Sequence, residues 1–117
     1  MSDVDRIEVQ MRTVDDATIL APKGDIDLSR APSFRTHISA VQSKKPRKLI
    51  IDLAGVPYMD SSGVATLVEA MQNARRSGGK LILCAMQEKV RSIFEIARLD
   101  MVFTIVGTAD EGLSLSP

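Results

Sequence analysis

The segment Tyr58-Met59-Asp60-Ser61-Ser62-Gly63 carries the residues of this chain best suited to chemistry, two hydroxyls beside a carboxylate. It follows the apolar run 49–53, which is typical of a strand, and it precedes the amphipathic run 64–77, which is typical of a helix. A helix start presents unpaired backbone N–H groups and a partial positive charge, which favour a hydroxyl cap or a phosphoryl group. The pattern therefore predicts that these serines, Ser61 and Ser62, supply a helix cap, a phosphoacceptor, or both.

The rest of the sequence does not supply a catalytic partner for these serines. A serine nucleophile needs a base, usually a histidine, and the only histidine is His37, inside the first predicted helix. The single cysteine, Cys84, lies in an apolar run and is expected to be a buried, unreactive thiol. Phosphate-binding loops, dinucleotide-binding motifs and clustered metal ligands are absent from the sequence. We therefore expect a binding or regulatory module that is not an enzyme and needs no cofactor.

Three acidic residues on predicted loops, Asp25, Asp27 and Asp60, offer an alternative, an oxygen-rich cation site. A small enzyme that uses such an acidic site is the corresponding functional alternative. Capping and turn formation explain the same residues equally well, and Asp27 is a good N-cap for the helix that follows it.

The composition indicates a globular domain with an aliphatic core. Of 117 residues, 44% are hydrophobic but only 3% are aromatic, and 15 basic side chains balance 15 acidic ones. A nucleic-acid binder needs a net basic face, and the one basic cluster, 44–48, is typical of a solvated loop. No apolar run approaches the roughly 20 residues that span a bilayer, and the first residues contain no signal-peptide core. We expect a cytoplasmic protein with neither membrane nor nucleic acid as a partner.

Apolar periodicity predicts an α/β fold with the order β-β-α-β-α-β-α-β-α, in a single domain over 1–117 with its core at about 7–115. Strands that alternate with helices favour parallel pairs joined by right-handed crossovers, and the first two strands add an antiparallel hairpin. We expect a small mixed sheet with helices mainly on one side. The predicted strands are 7–13, 17–21, 49–53, 80–85 and 102–106, and the predicted helices are 28–43, 64–77, 90–97 and a final turn from Thr108.

The loops that carry Asp27 and Ser61 both follow strands, so both are expected at one rim of the sheet. A phosphate on Ser61 would add about −1.5 to −2 charges at neutral pH. The helix start would favour this anion by roughly 0.3–1 kcal/mol, whereas Asp60 would repel it. Because the two effects nearly cancel, we expect phosphorylation to change a binding surface and to leave the fold intact.

Several segments of the chain resemble the STAS domain family, and most closely its free-standing bacterial anti-sigma factor antagonists of the sporulation and general-stress type. The string Met-Asp-Ser-Ser-Gly at 59–63, between a strand and a helix, is the strongest signal. A departure follows it, because many members continue with Leu-Gly where this chain has Val64-Ala65. The resemblance runs from about residue 7 to residue 115, and its other matching segments are 24–27, 49–53, 78–85 and 90–94.

The resemblance implies a partner switch. In that family the unphosphorylated antagonist binds an anti-sigma factor, which is a serine kinase of the GHKL ATPase type, and so frees the sigma factor. The kinase phosphorylates the serine after the aspartate, which corresponds to Ser61, and a metal-dependent serine phosphatase reverses the reaction. Gly63 corresponds to the glycine that lets a partner backbone approach. The predicted partner-binding residues are Asp25, Asp27, Asp60, Ser62 and Gly63.

Other members of the family keep an alternative open. They serve as accessory subunits of lipid-transport ATPases or as stressosome-type scaffolds. A protein of that kind would dock by the same rim without sigma-factor control.

Overall fold

A hairpin opens the described part of the chain, which comprises residues 5–116 of a computed structural model. Strands β1 (Glu8–Val14) and β2 (Ala17–Lys23) pair antiparallel, with Val14 opposite Ala17. The two residues between them form the turn, and Asp15 there adopts a φ of 54°, which aspartate tolerates better than most side chains. The predicted antiparallel hairpin of the first two strands is confirmed.

After the hairpin, helices and strands alternate. The sheet has five strands in chain order, and every pair after the first is parallel. Each parallel neighbour is reached through a helical crossover, as such pairs require. The predicted fold class and element order are confirmed. The further elements are α1 (Ala31–Gln42), β3 (Lys48–Asp52), α2 (Ser61–Arg76), β4 (Lys80–Cys84), α3 (Glu88–Ile96), a 3₁₀ turn (Leu99–Met101), β5 (Thr104–Val106) and α4 (Ala109–Ser114).

The larger part of the core lies between one face of the sheet and helices α1, α2 and α3. Alternate residues of the central strands point to this face, where they meet the apolar stripes of the helices. The members of this cluster include Leu20, Leu49, Ile51, Leu81 and Leu83 from the strands and Phe34, Ile38, Leu67, Met71 and Phe94 from the helices. The helices therefore lie mainly on one side, as predicted.

The opposite face of the sheet has a smaller cover. Ile19, Ile50 and Ile82 are buried there, and Leu113 of α4 packs against them. Because α4 is short and contacts mainly β3, β4 and β5, the β1 side chains on this face, those of Glu8, Gln10 and Arg12, remain exposed.

Helix α2 ends at a glycine pair, Gly78 and Gly79. Gly78 has a φ of 78°, the left-handed conformation that glycine adopts without steric cost. Its N–H donates to the Arg75 carbonyl at 3.2 Å, and the Gly79 N–H donates to the Ala74 carbonyl at 2.8 Å. This double hydrogen bond is the Schellman arrangement, which satisfies the last carbonyls of a helix.

Several predicted boundaries differ from the structure by up to three residues; α2, for example, begins at Ser61 instead of residue 64. α1 begins at Ala31 instead of residue 28, because residues 28–30 form a turn that precedes the helix. Pro32 lies in its first turn, where a missing N–H does no harm. The last strand begins at Thr104 instead of residue 102, since the chain first forms the 3₁₀ turn.

Lys48 corrects the prediction that the whole basic cluster is solvated. Its side chain is only 5% exposed, and its ammonium group donates to the backbone carbonyls of Gly112, Leu113 and Leu115 at the end of α4. A cation at a helix C-terminus satisfies carbonyls that lack intrahelical partners. Residues 44, 45 and 47 are exposed as predicted.

Cys84 is a free thiol buried in β4, as predicted. Burial raises its pKa to about 12, and the charge of Asp52 acts in the same direction. The thiolate is therefore disfavoured, in agreement with the expectation of an unreactive cysteine. Within residues 5–116, no helix has the length and apolar character needed to cross a membrane.

Candidate functional site

Two loops at the carboxyl ends of β2 and β3 lie side by side. Ile26 and Met59 form a parallel bridge between them. The Ile26 N–H donates to the Tyr58 carbonyl at 3.0 Å, and the Asp60 N–H donates to the Ile26 carbonyl at 3.1 Å. The prediction that both loops meet at one rim is confirmed.

Asp60 is the N-cap of α2. One carboxylate oxygen, Oδ1, accepts hydrogen bonds from the Ser62 N–H at 2.9 Å, from the Gly63 N–H at 3.4 Å and from the Ser62 hydroxyl. The other oxygen, Oδ2, accepts from the Leu28 N–H in the neighbouring loop at 3.0 Å. A single carboxylate therefore caps the helix and ties the two loops together.

These hydrogen bonds stabilise the ionised form of Asp60. The Ser62 hydroxyl is the strongest cause, and the N–H groups of Ser62, Gly63 and Leu28 add to it against the opposing effect of burial. The pKa of Asp60 is thereby lowered from its ordinary value of 3.8. At neutral pH the site carries a fixed negative charge beside Ser61.

Ser61 and Ser62 have different environments although they are adjacent. Ser62 is half-buried, and its hydroxyl is engaged by Asp60. Ser61 is the first residue of α2 and is exposed, and its hydroxyl makes no hydrogen bond with any residue in the range 5–116. The prediction that Ser61 also caps the helix is wrong, since Asp60 takes that role one position earlier.

Asp27 organises the turn before α1 and does not cap the helix. Its Oδ1 accepts from the Ser29 hydroxyl at 2.7 Å and from the N–H groups of Ser29 and Arg30 at 3.1 Å each. The Ser29 hydroxyl is the main reason that its pKa is lowered from 3.8. The N-cap position belongs to Arg30, whose side chain makes no cap hydrogen bond. The predicted N-cap role of Asp27 is therefore wrong: the turn separates it from the helix.

Asp25 is exposed in the same loop, and its backbone carbonyl accepts from Arg30 Nη1 at 3.4 Å. The alternative of a cation site at Asp25, Asp27 and Asp60 needs their carboxylates to converge. In the part of the chain that the structure describes, no three acidic, histidine or cysteine side chains gather so as to hold a metal ion. The alternative of a cation site therefore finds no support in the arrangement of these residues.

Gly63 is buried where α2 passes closest to the Asp27 loop. A Cβ atom on Gly63 would lie 2.5 Å from Met59 Cγ and 2.9 Å from Ile26 Cγ2, both well inside van der Waals contact. Only glycine fits here, and the approach it permits is between two segments of this chain. Its predicted contact with a partner backbone stays a prediction.

Two exposed apolar side chains flank the site and were not among the predicted residues. Leu28 is 76% exposed and Tyr58 is 47% exposed. Leu28 also borders a groove of about 660 Å³ between α1 and α2, whose lining includes Ser62, Arg35 and Glu69. Arg35 donates to Glu69 across the groove at 2.7 Å. The sequence contained one indication that Leu28 is exposed: it lies in a polar turn, where it is not part of the apolar face of a helix.

Comparison with known proteins places these features in a family. The sequence profile of the STAS domain matches residues 8–112. The anti-sigma-B factor antagonist of Listeria monocytogenes is 31% identical over 105 residues, which cover 90% of this chain and 91% of that protein. The anti-sigma-B factor antagonist of Bacillus subtilis is 29% identical over 90 residues, which cover 77% of this chain and 82% of that protein.

A solved structure agrees with these sequences. The crystal structure of an anti-sigma factor antagonist from Mycobacterium paratuberculosis superimposes with a TM-score of 0.86 at 26% identity and covers 97% of each chain. The superposition therefore extends over nearly the whole chain. On the profile match and on the identity with the Listeria protein, this chain belongs to the STAS domain family.

Proposed function

We propose that this protein is an anti-sigma factor antagonist whose binding is switched by phosphorylation of Ser61. The observation that carries the proposal is the free, exposed Ser61 hydroxyl at the start of α2, next to a Ser62 hydroxyl that Asp60 holds. Relatives that are 31% and 29% identical are named anti-sigma-B factor antagonists, which supports a partner of the anti-sigma factor class. In this proposal the protein acts by binding and catalyses no reaction of its own.

The chemistry of the site accounts for how a phosphate would act. The Ser61 hydroxyl makes no hydrogen bond within residues 5–116, so its phosphorylation breaks none there. The start of α2 attracts the added anion, and the ionised Asp60 repels it. The fold is therefore expected to persist, while any protein that covers Ser61 would have to desolvate a doubly charged group.

The surface around Ser61 suits a protein partner. Exposed Leu28 and Tyr58 offer apolar contacts on the two loops, and the groove between α1 and α2 offers a concave surface beside them. Interfaces commonly combine such apolar anchors with a polar rim. Asp25 and Asp27, on the loop next to Ser61, and the half-buried Ser62 would contribute to that rim.

The proposed partners are a serine kinase of the GHKL ATPase type, which is also the anti-sigma factor, and a metal-dependent serine phosphatase. The kinase would bind the unphosphorylated form and transfer the γ-phosphoryl group of ATP to the Ser61 oxygen. The phosphatase would hydrolyse the phosphoserine and restore binding. We propose that this cycle takes place in the cytoplasm, where ATP is available.

Capture from a native lysate of the source cells tests the proposal. Wild-type protein, Ser61→Asp and Ser62→Asp would serve as baits, and mass spectrometry would identify what each retains. We expect wild type to retain an anti-sigma factor kinase that Ser61→Asp loses, while thermal melts of wild type and Ser61→Asp differ by only a few degrees. Incubation of the captured kinase with ATP and wild-type protein should then place phosphate on Ser61, as peptide mass analysis would report.

Other outcomes would contradict the proposal. Phosphorylation of Ser62 alone would contradict the assignment of Ser61 as the phosphoacceptor. Equal retention of a transporter ATPase or a scaffold by all three baits would favour the constitutive accessory subunit. Unfolding of Ser61→Asp would show that Ser61 has a structural role.

A further inference from the structure

The outer edge of β1 is a long strand edge with no partner. Among residues 5–116, backbone groups of β1 bond to β2, and no other strand pairs with it. β5, at the opposite end of the sheet, has only three residues, whereas β1 has seven. A short edge strand prevents sheet-to-sheet association, and a long one invites it.

The hairpin determines which groups of β1 face outward. The two-residue turn makes Val14 and Ala17 a hydrogen-bonded pair. Pairs alternate along an antiparallel ladder, so the even-numbered residues of β1 bond to β2. Val9, Met11 and Thr13 therefore direct their N–H and C=O groups away from the sheet. Pro22, which has no N–H, lies opposite Val9. This fits the alternation, because the two residues of such a pair do not hydrogen-bond to each other.

The side chains of β1 are complementary to those of a second copy. When two β1 strands pair antiparallel about Gln10, Glu8 of each lies opposite Arg12 of the other. Both side chains are exposed, and neither has an ion-pair partner within residues 5–116. Pairing about Met11 would instead place Arg12 opposite Gln10 and lose both ion pairs. Opposite charges at facing positions stabilise a strand pair, and like charges destabilise it.

The other face of β1 has an apolar surface for the same partner. Met11 is 58% exposed and borders a groove of about 280 Å³ between β1 and α1, whose lining includes Val9, His37 and Val41. In the pairing about Gln10, Met11 of each copy lies opposite Val9 of the other. Each methionine thereby reaches the edge of its partner's groove.

We propose that two copies of this protein form a dimer through antiparallel pairing of β1 about Gln10, which joins their sheets into one. A single strand pair buries less than the roughly 800 Å² per partner of a standard interface. The dimer is therefore weak, and its population depends on the protein concentration. The two Glu8–Arg12 pairs set its register and make it sensitive to salt.

Sedimentation equilibrium of the full chain tests the proposal. The apparent mass should rise from 12.7 kDa toward twice that value as the protein concentration is raised from about 5 μM to 1 mM. Arg12→Glu and Glu8→Arg should each weaken the dimer at least about tenfold, because two attractions become two repulsions. The double variant E8R/R12E should restore wild-type association. Lys89→Glu, an exposed charge reversal on α3, is the control and should leave association unchanged.

A cross-linking experiment checks the register independently. Gln10→Cys places two thiols opposite each other at the dimer axis, so mild oxidation should give a disulfide-linked dimer. Glu8→Cys, whose thiol would face Arg12, should give little, and Met11→Cys should respond only if the strands pair about Met11. Cys84 does not compete, since it is buried.

The results that would overturn the proposal can be distinguished from the unfolding of a variant. A 12.7 kDa mass at 1 mM would exclude the dimer. Dimers that survive Arg12→Glu, or that E8R/R12E does not restore, would exclude this pairing. If Arg12→Glu proves unfolded by circular dichroism, Met11→Pro decides instead, because it removes an outward N–H and spares the bonds to β2. Association of folded Met11→Pro at wild-type strength would overturn the proposal.

Discussion

The loops before α1 and α2 lie side by side, but their aspartates hold them in different ways. Asp60 bonds to its own helix start and to Leu28, 32 residues away in sequence. Asp27 bonds to Ser29 and Arg30 within its own turn. The loop before α2 therefore fixes the geometry of the whole rim, and the loop before α1 is positioned against it.

The same difference explains why Ser61 is available. Asp60 occupies the N-cap and accepts a hydrogen bond from the Ser62 hydroxyl. The Ser61 hydroxyl is therefore not needed to hold the helix start. The Ser61 hydroxyl, which can be modified, lies directly beside the Asp60 carboxylate, which the helix cap requires. The residue that holds the helix start, Asp60, and the residue with a free hydroxyl, Ser61, are therefore neighbours in the chain.

The largest expected effect comes from removing the carboxylate that joins the two loops. Asp60→Ala should lower the free energy of unfolding by about 2–3 kcal/mol, because it removes a helix cap and a charged hydrogen bond to the second loop. Asp27→Ala is the matched comparison, and it should cost less because the bonds it removes stay within one exposed turn. Urea unfolding at neutral pH measures both losses. Equal losses would contradict the unequal roles of the two aspartates.

Crowding where the loops touch should have the next largest effect. Gly63→Ala places a Cβ against Met59 and Ile26 and should cost about 1–2 kcal/mol, after the gain in helix propensity is counted. Met59→Ala makes room, so the variant M59A/G63A should lose less stability than the two single variants together. Thermal melts provide the comparison, and strictly additive losses would show that the two side chains do not meet.

The adjacent hydroxyls should differ by a smaller amount. Ser62→Ala removes a hydrogen bond to Asp60 and should cost about 0.5–1.5 kcal/mol. Ser61→Ala should change stability by less than about 0.5 kcal/mol, as is usual for an exposed side chain without partners. Chemical unfolding of both variants decides. A larger loss of stability in Ser61→Ala than in Ser62→Ala would contradict the structural role given to Ser62.

Acid should produce the smallest effect, because a protonated Asp60 keeps its size and some of its hydrogen bonds. Its pKa is below 3.8 in the folded protein and near 3.8 in the unfolded chain, so the unfolded chain binds more protons. The stability that Asp60 supplies is complete above pH 3.8 and is lost as the pH falls through the lower, folded pKa.

Asp60→Asn isolates this contribution, since asparagine has nearly the same shape and does not ionise. The difference in unfolding free energy between wild type and Asp60→Asn should narrow as the pH falls below about 4. Asp27 also has a lowered pKa, but it titrates alike in both proteins and cancels from the difference. A constant difference from pH 7 to pH 2.5 would contradict the lowered pKa of Asp60.

The sequence predicted the elements of this fold because each has a local physical cause. The alternation in β1, the apolar stripe of α2 and the glycine pair that stops it all depend on residues close in the chain. The helix starts were less predictable. Asp27 and Ser61 are both good cap residues by type, and the position of the first helical residue decides which side chain caps.

The surface residues beside the site escaped sequence reasoning for a different reason. Leu28 and Tyr58 have ordinary apolar side chains, and their exposure depends on how the two loops pack. Lys48 is the converse case, a basic residue in a charged cluster whose ammonium group ends among carbonyls of α4. Contacts between residues so far apart in sequence leave no periodic signal.

By itself, the sequence determined the order of strands and helices, the family resemblance and a pair of serines at a helix start. Those features follow from local propensity and from short motifs. The tertiary structure alone decided that Asp60 caps the helix, that Ser62 is engaged and that Ser61 is free. The cap itself is made within three residues, but the other oxygen of the same carboxylate accepts from Leu28, which is close to it only because the two loops pack together.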